Sequence, residues 1–239
     1  MLASALLTPV PADGEDAAPG KQTAQEMTTA AGPVKFWLWL PEKPPTEGAP
    51  LLVFLHGAGE RGTDLALVKK HGPPKLVQKM SDLQPFIIVS PQCPPEQWWN
   101  LDQVFQLIEA MATKYKADRS RLYLTGLSMG GYATWALIAK NPTYFAAAIP
   151  ICGGGNPADA ATLKNLPLRV FHGAKDEAVP VQKSQEMVDA LKAAGAADVH
   201  LTIFPDLAHE SWTPVYSDPK TYSWLLSKRK TLSPPPEAK

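Results

Sequence analysis

Two cysteines in 239 residues are too few for a disulfide framework. Cys93 and Cys152 both sit beside apparent strand ends, where the expectation is a buried free thiol. Charge of one sign is missing too: Lys+Arg and Asp+Glu are both 23, and no basic run occurs that could neutralise a phosphate backbone or an anionic membrane surface. Nucleic acid and membranes are therefore not expected as partners. No apolar run approaches the length needed to cross a bilayer. Internal repeats are absent, as is a Gly-x-Gly-x-x-Gly register for a dinucleotide or a phosphate loop. The five histidines are scattered and neither cysteine has a partner at ligand spacing, so neither metal nor cofactor is expected.

What the chain does contain is an alternation of short apolar runs and longer helical patterns. Strands are expected in "VKFWLWLP", "LLVFLHG", "PFIIVSP", "RLYLTG", "FAAAIPICGG", "LPLRVFHG" and "VHLTIFP", several of them apolar without a break, as suits strands covered on both faces. Residues 101–115, 130–141 and 181–194 carry apolar residues at helical spacing. Strands separated by helices imply parallel pairing through right-handed crossovers, an α/β sheet with helices on both faces. Length suits one domain, expected over residues 23–230. Residues 1–22 read as a disordered leader or a trimmed export signal, and residues 231–239, with three consecutive prolines, as a disordered tail. Compartment and oligomeric state stay open.

The stretch "YLTGLSMGGY", Tyr123 to Tyr132, places Ser128 between Gly126 and Gly130 at the carboxyl end of a strand and the start of a helix. A turn sharp enough to push the Ser128 hydroxyl outward forces close backbone approach, which only glycine tolerates on either side. A serine hydroxyl is a weak nucleophile at neutral pH and needs a base, with a third group to orient that base. His209, in "FPDLAHESW", follows the last strand at the same rim of the sheet. Asp176, in "VFHGAKDEAVP", follows the preceding strand. Ser128, Asp176, His209 is the chain order this topology requires, and it favours Asp176 over Asp206, which lies only three residues before His209. Two N–H groups are expected to stabilise a developing oxyanion: Met129, directly after the serine, and Ala58, after "LLVFLHG", with Gly59 as second choice. His56 reads as a buried brace for that loop, and Glu60 with Arg61 as a pair holding the loop to the rim. Trp98 and Trp99 in "EQWWN", with Trp212, are expected to form an aromatic pocket wall that could stack on a sugar or a phenolic ring.

The motifs "FLHGAGERG", "GLSMGGYATW", "IPICGGG", "FHGAKDEAVP" and "PDLAHESW" together resemble the α/β-hydrolase superfamily, in its esterase, dienelactone-hydrolase and prolyl-oligopeptidase-related branch, from about residue 23 to about residue 229. The resemblance implies an α/β-hydrolase fold, with Ser128 as nucleophile, Asp176 as acid and His209 as base. Dienelactone hydrolases proper use a cysteine nucleophile, so serine here argues against that activity. The connection "CGGGNPADAATLKNLP" is too short for the cap domain of lidded lipases. Related esterases act on acetylated or feruloylated plant polysaccharides, so the resemblance implies a serine carboxylesterase acting on a small-molecule or polysaccharide-linked ester. A peptidase of the prolyl-oligopeptidase type is the alternative enzyme. A non-catalytic carbohydrate-binding protein on an inherited scaffold is the alternative from another class.

Overall fold

The computed structural model describes residues 17–232. Eight strands form one sheet: β1 (Gln22–Thr29), β2 (Gly32–Trp39), β3 (Leu51–Leu55), β4 (Ile87–Pro91), β5 (Leu122–Leu127), β6 (Ala147–Ile151), β7 (Leu168–Gly173) and β8 (Val199–Phe204). Their spatial order is β1-β2-β4-β3-β5-β6-β7-β8. β1 and β2 form an antiparallel hairpin, β2 pairs antiparallel with β4, and every later pairing is parallel. Among the described residues seven α-helical segments accompany them: α1 (Gly72–Leu76), α2 (Leu101–Lys114), α3 (Met129–Lys140), α4 (Ala160–Leu163), α5 (Gln182–Ala193), α6 (Trp212–Tyr216) and α7 (Pro219–Leu226). Among the described residues, no helix is long and apolar enough to cross a membrane.

The unbroken apolar run of β3 is explained by the two-residue period of a strand. Leu51, Val53 and Leu55 join one core with Leu107, Ile108 and Met111 of α2 and Leu137 and Ile138 of α3. Leu52 and Phe54 point the other way, to a second core built with Val77, with Val215 and Tyr216 of α6, and with Tyr222 and Leu225 of α7. Each residue of β3 is buried because both faces of the sheet are covered.

The seven expected strands are all present. The first begins at Gly32 and not at residue 34, and it has a partner that hydrophobic pattern did not reveal. β1 reads QTAQEMTT, too polar to stand out, and its strand character comes from pairing residue for residue with β2 across a turn at Ala30 and Ala31. The expected leader and tail fall mostly outside the described residues. The described end of the leader is part of the fold: Pro19 bridges to Leu40, the Gly20 N–H donates to Leu40 O, and β1 opens at Gln22.

Candidate active site

β5 ends at Leu127 and α3 begins at Met129, so a single residue makes the turn between them. Ser128 takes φ 53° and ψ −117°, a left-handed φ that a side chain rarely adopts and that costs of order 1–3 kcal/mol. Backbone bonds hold it there: its N–H donates to Ile151 O at 3.0 Å, and its carbonyl accepts from Tyr132 N–H at 3.0 Å. The flanking glycines are required by contact. A Cβ on Gly126 would stand 2.3 Å from Gly130 O, and one on Gly130 would stand 1.9 Å from Leu55 O at the end of β3. The turn is sharp because helix and sheet touch at backbone distance.

Asp176 and His209 reach the same point from the neighbouring loops. Gly173, at the end of β7, has no room for a Cβ, which would stand 2.1 Å from Ala208 O. That contact, with the Lys175 N–H donating to Leu207 O at 2.9 Å, brings the loops after β7 and β8 together. His209 Nε2 lies 2.9 Å from Ser128 Oγ, and His209 Nδ1 lies 2.8 Å from Asp176 Oδ2. With the Ser128 hydroxyl donating to Nε2, the imidazole proton sits on Nδ1 and is donated to the carboxylate. Asp176 Oδ1 accepts the N–H groups of Ala178 and Val179 at 2.9 and 2.8 Å. An imidazole held in this way can take a proton from the serine while the carboxylate stabilises the resulting cation. Asp206 is elsewhere, exposed and 3.2 Å from Lys175 Nζ.

Met129 is the first residue of α3, and Ala58 opens a 3₁₀ turn, Ala58–Glu60. Both N–H groups belong to the helix-start amides that have no intrahelical acceptor. The Gly57–Ala58 segment abuts the serine, since a Cβ on Gly57 would lie 3.6 Å from Ser128 Cβ. Gly59 faces open space. Glu60 and Arg61 do brace the loop, though separately. The buried Glu60 carboxylate accepts the Gly57 N–H at 3.1 Å, and its burial raises its pKa. Arg61 donates to Ala58 O at 3.0 Å and to Gln97 O at 3.2 Å.

His56 is the buried brace expected. Its Nε2 accepts the Cys93 N–H at 3.0 Å and its Nδ1 lies 2.6 Å from Gly57 O, so the proton belongs on Nδ1 and the ring is neutral. Burial lowers its pKa from 6.5 to about 4, outweighing the hydrogen bond to Gly57, with Arg61 adding to the depression. The unfolded chain therefore takes up a proton at a pH where the folded protein does not. Stability from this group is lost as pH falls from 6.5 towards 4, by up to about 3 kcal/mol. Glu60, with its raised pKa, offsets part of that loss above its unperturbed 4.5. Urea unfolding of His56→Gln between pH 7 and 4.5 is expected to show a smaller loss of stability than wild type. An equal loss in both proteins contradicts this account.

The expected wall of three tryptophans is corrected. Trp98 is 67% exposed and meets Tyr132 edge to face, with centroids 6.3 Å apart. Trp99 and Trp212 are buried. Trp99 lies on His56 and donates its indole N–H to His56 O, while Trp212 donates to His71 and meets His209 edge-on. Their polar edges are used inside the protein, because a buried indole N–H needs an acceptor.

Three further residues meet at the site without a sequence signal of comparable strength. His172 Nε2 lies 3.2 Å from Asp176 Oδ2 and 2.9 Å from Val179 O, so a second imidazole supports the carboxylate. Tyr132, in the first turn of α3, is tied to Ser128 through its backbone N–H, which donates to Ser128 O. Cys152, at φ 39°, brings Sγ, a carboxylate oxygen of Asp176 and a ring nitrogen of His209 within 4.8 Å of one another, a grouping of potential ligand atoms that chain spacing does not reveal. Burial pushes the Cys152 thiol up to about 12, with Asp176 adding to the rise, so it is protonated at neutral pH. Both cysteines are free and buried, as expected.

The connection from Ile151 to Leu168 holds only a 3₁₀ turn, Pro157–Asp159, and the single turn of α4. Gly153 lies against the backbone of Gly131 on α3, and Gly154 and Gly155 lie against side chains of Lys183 and Met187, so the glycine run is packed.

Comparison with known proteins gives the fold and the family. A crystal structure of a thermostable esterase superposes with a TM-score of 0.77 at 33% identity, covering 87% of this chain and 63% of that one. A protein of Salmonella typhimurium, provisionally named carboxymethylenebutenolidase, is 30% identical over 111 residues. That match covers 43% of this chain and 41% of the relative, so the chain spans well under two thirds of the relative it matches. The feruloyl esterase module of Clostridium thermocellum, solved with sinapinate, has a TM-score of 0.67 at 18% identity over 91% of this chain and 92% of its own, a likeness of fold. The fold is that of the α/β-hydrolases. The family model described as "Dienelactone hydrolase family" matches residues 95–216, just over half of the chain, a span that contains Ser128, Asp176 and His209, and the protein belongs to that family.

Proposed function

We propose that this protein is a serine carboxylic-ester hydrolase that works through an acyl-enzyme on short-chain, aromatic or acetyl carbohydrate esters. The observation that carries the reading is the hydrogen-bonded chain Ser128 Oγ, His209, Asp176. Ser128 Oγ attacks the ester carbonyl as His209 Nε2 takes its proton. Asp176 holds the imidazolium. The N–H groups of Met129 and Ala58 receive the oxyanion, each contributing on the order of 3 kcal/mol. His209 then returns the proton to the departing alcohol. A water, activated by the same histidine, releases the acid and restores the serine. Serine at this turn, where dienelactone hydrolases proper carry cysteine, supports a general ester substrate over a dienelactone. The feruloyl esterase module lends its fold and not its specificity; the exposed Trp98 beside Tyr132 is what supports a flat sugar or phenolic group near Ser128. Fluorophosphonate labelling with peptide mapping, run beside hydrolysis of nitrophenyl acetate, is the test. A folded protein that takes no label and hydrolyses no ester overturns the reading in favour of a non-catalytic binder.

The short connection after β6 sets an expectation about chain length. With no room for a cap in the connection between β6 and β7, the acyl group is expected to have only a small pocket near Ser128, and each buried CH₂ is favourable, by about 0.8 kcal/mol, only while that pocket lasts. Acetyl to butyryl esters are expected to give the highest kcat/KM, with rates falling beyond about eight carbons and no rate jump at the solubility limit. Rates for tributyrin and trioctanoin measured across that limit decide the matter. Interfacial activation with preference for trioctanoin contradicts it.

A further inference from the structure

Trp212 lies between the two loops that the proposed chemistry needs. Its ring meets His209 edge-on, with centroids 5.5 Å apart and planes at 88°. Its indole N–H donates to His71 Nδ1 at 3.2 Å, and the His71 ring lies edge-on to it at 5.3 Å. On the far side of His71, Nε2 faces Glu60 Oε1 at 3.7 Å. The other oxygen of Glu60 accepts the Gly57 N–H, the amide directly before Ala58. Gly57, Glu60, His71, Trp212 and His209 thus form a continuous path from the loop expected to bind the oxyanion to the expected base.

Hydrogen-bond chemistry fixes the state of this path. An indole N–H can only donate, so His71 Nδ1 must offer a lone pair, and the proton of the neutral ring sits on Nε2, towards Glu60. Burial lowers the His71 pKa; Lys75 acts in the same direction, Glu210 opposes it and Lys70 adds to the lowering. Glu60, whose pKa burial raises, is the acid nearest the other ring nitrogen. A protonated His71 would turn an N–H at the Trp212 N–H. The indole would have to move, and its contact with the His209 ring would move with it.

We propose that Trp212, anchored by His71, is a positioning residue that holds the His209 ring in register with the Gly57–Ala58 loop. The proposal rests on the ester-hydrolase reading above. Positioning acts on the transition state more than on substrate affinity, so its loss is read in kcat.

The test measures kcat and KM for nitrophenyl acetate per active site, counted by fluorophosphonate titration. Trp212→Phe, which keeps a ring and loses the donor, and His71→Ala are each expected to lower kcat about tenfold with KM within about twofold. The double variant is expected to match the singles, since both break one bond. His71→Asn, whose amide oxygen can take the place of Nδ1, is expected to recover to within about threefold of wild type. Protonation of His71 should add a fall of about tenfold to the acid limb of kcat/KM in wild type, and that added fall should be absent in His71→Asn. Independent losses that multiply in the double variant overturn the proposal, as do His71→Asn behaving like His71→Ala or an added acid fall that survives in His71→Asn. If Trp212→Phe fails to fold, the His71→Ala and His71→Asn pair reads the same bond. Full labelling of a wild type whose rates the substitutions leave unchanged removes this inference alone. A wild type that takes no label removes the ester-hydrolase reading and this inference together.

Discussion

Replacing Ser128 by alanine is expected to lower kcat for a short nitrophenyl ester by about a million-fold while leaving the fold intact, because a nucleophile and its base act as one unit and the loss of either removes nearly all of the rate. The fold should survive because the turn is held by backbone bonds that alanine keeps, from the residue-128 N–H to Ile151 O and from the Tyr132 N–H to the residue-128 carbonyl. The left-handed φ is no easier for alanine, so the strain is unchanged. The side chain gives up one hydrogen bond, to His209 Nε2. Rates with rigorous exclusion of trace wild-type enzyme, together with urea unfolding, make the measurement. A purified, folded Ser128→Ala that kept a tenth of wild-type activity would remove Ser128 from the mechanism.

The residues that meet at this site were legible where the sequence encodes a backbone constraint. Gly126 and Gly130 flank Ser128 because atoms of Gly130 and Leu55 occupy the space a Cβ would need, and a spacing imposed by backbone contact is visible in the chain itself. Chain order did the same for Asp176 and His209, which follow consecutive parallel strands and so arrive at one rim. β3, β4 and β6 were legible because burial on both faces leaves largely apolar runs. β1 was not, because its polar residues sit on an edge hairpin where pairing with β2, and not hydrophobicity, decides the conformation. Side-chain partners across distant segments were equally hidden. Trp212 and His71 are 141 positions apart, and nothing local to either predicts that one donates to the other. The tryptophan wall failed for the same reason, since aromatic residue type is the same for a pocket wall and for a buried support. Trp98 faces solvent and Trp99, its neighbour, packs on His56.

Asp176→Asn is expected to cost about ten-thousand-fold in kcat, and Asp206→Asn to change it by less than about twofold. Asp176 Oδ1 accepts two backbone N–H groups, from Ala178 and Val179, while Oδ2 faces His209 Nδ1 and His172 Nε2. An asparagine keeps its amide oxygen on the backbone pair, because turning its NH₂ group there would set donor against donor. The NH₂ then points at His209. It can only donate, so Nδ1 must accept and the imidazole proton moves to Nε2, where it faces Ser128 Oγ. The base then has no lone pair for the serine proton, although heavy-atom positions need hardly change. Asp206 lies outside this chain, with an exposed side chain whose partner is Lys175, and such a surface pair contributes little. Matched kcat measurements on the two purified variants, with circular dichroism to establish folding, separate the candidates. A larger loss in Asp206→Asn would transfer the orienting role to that residue, and a small loss in both would mean that His209 needs no carboxylate to keep its tautomer.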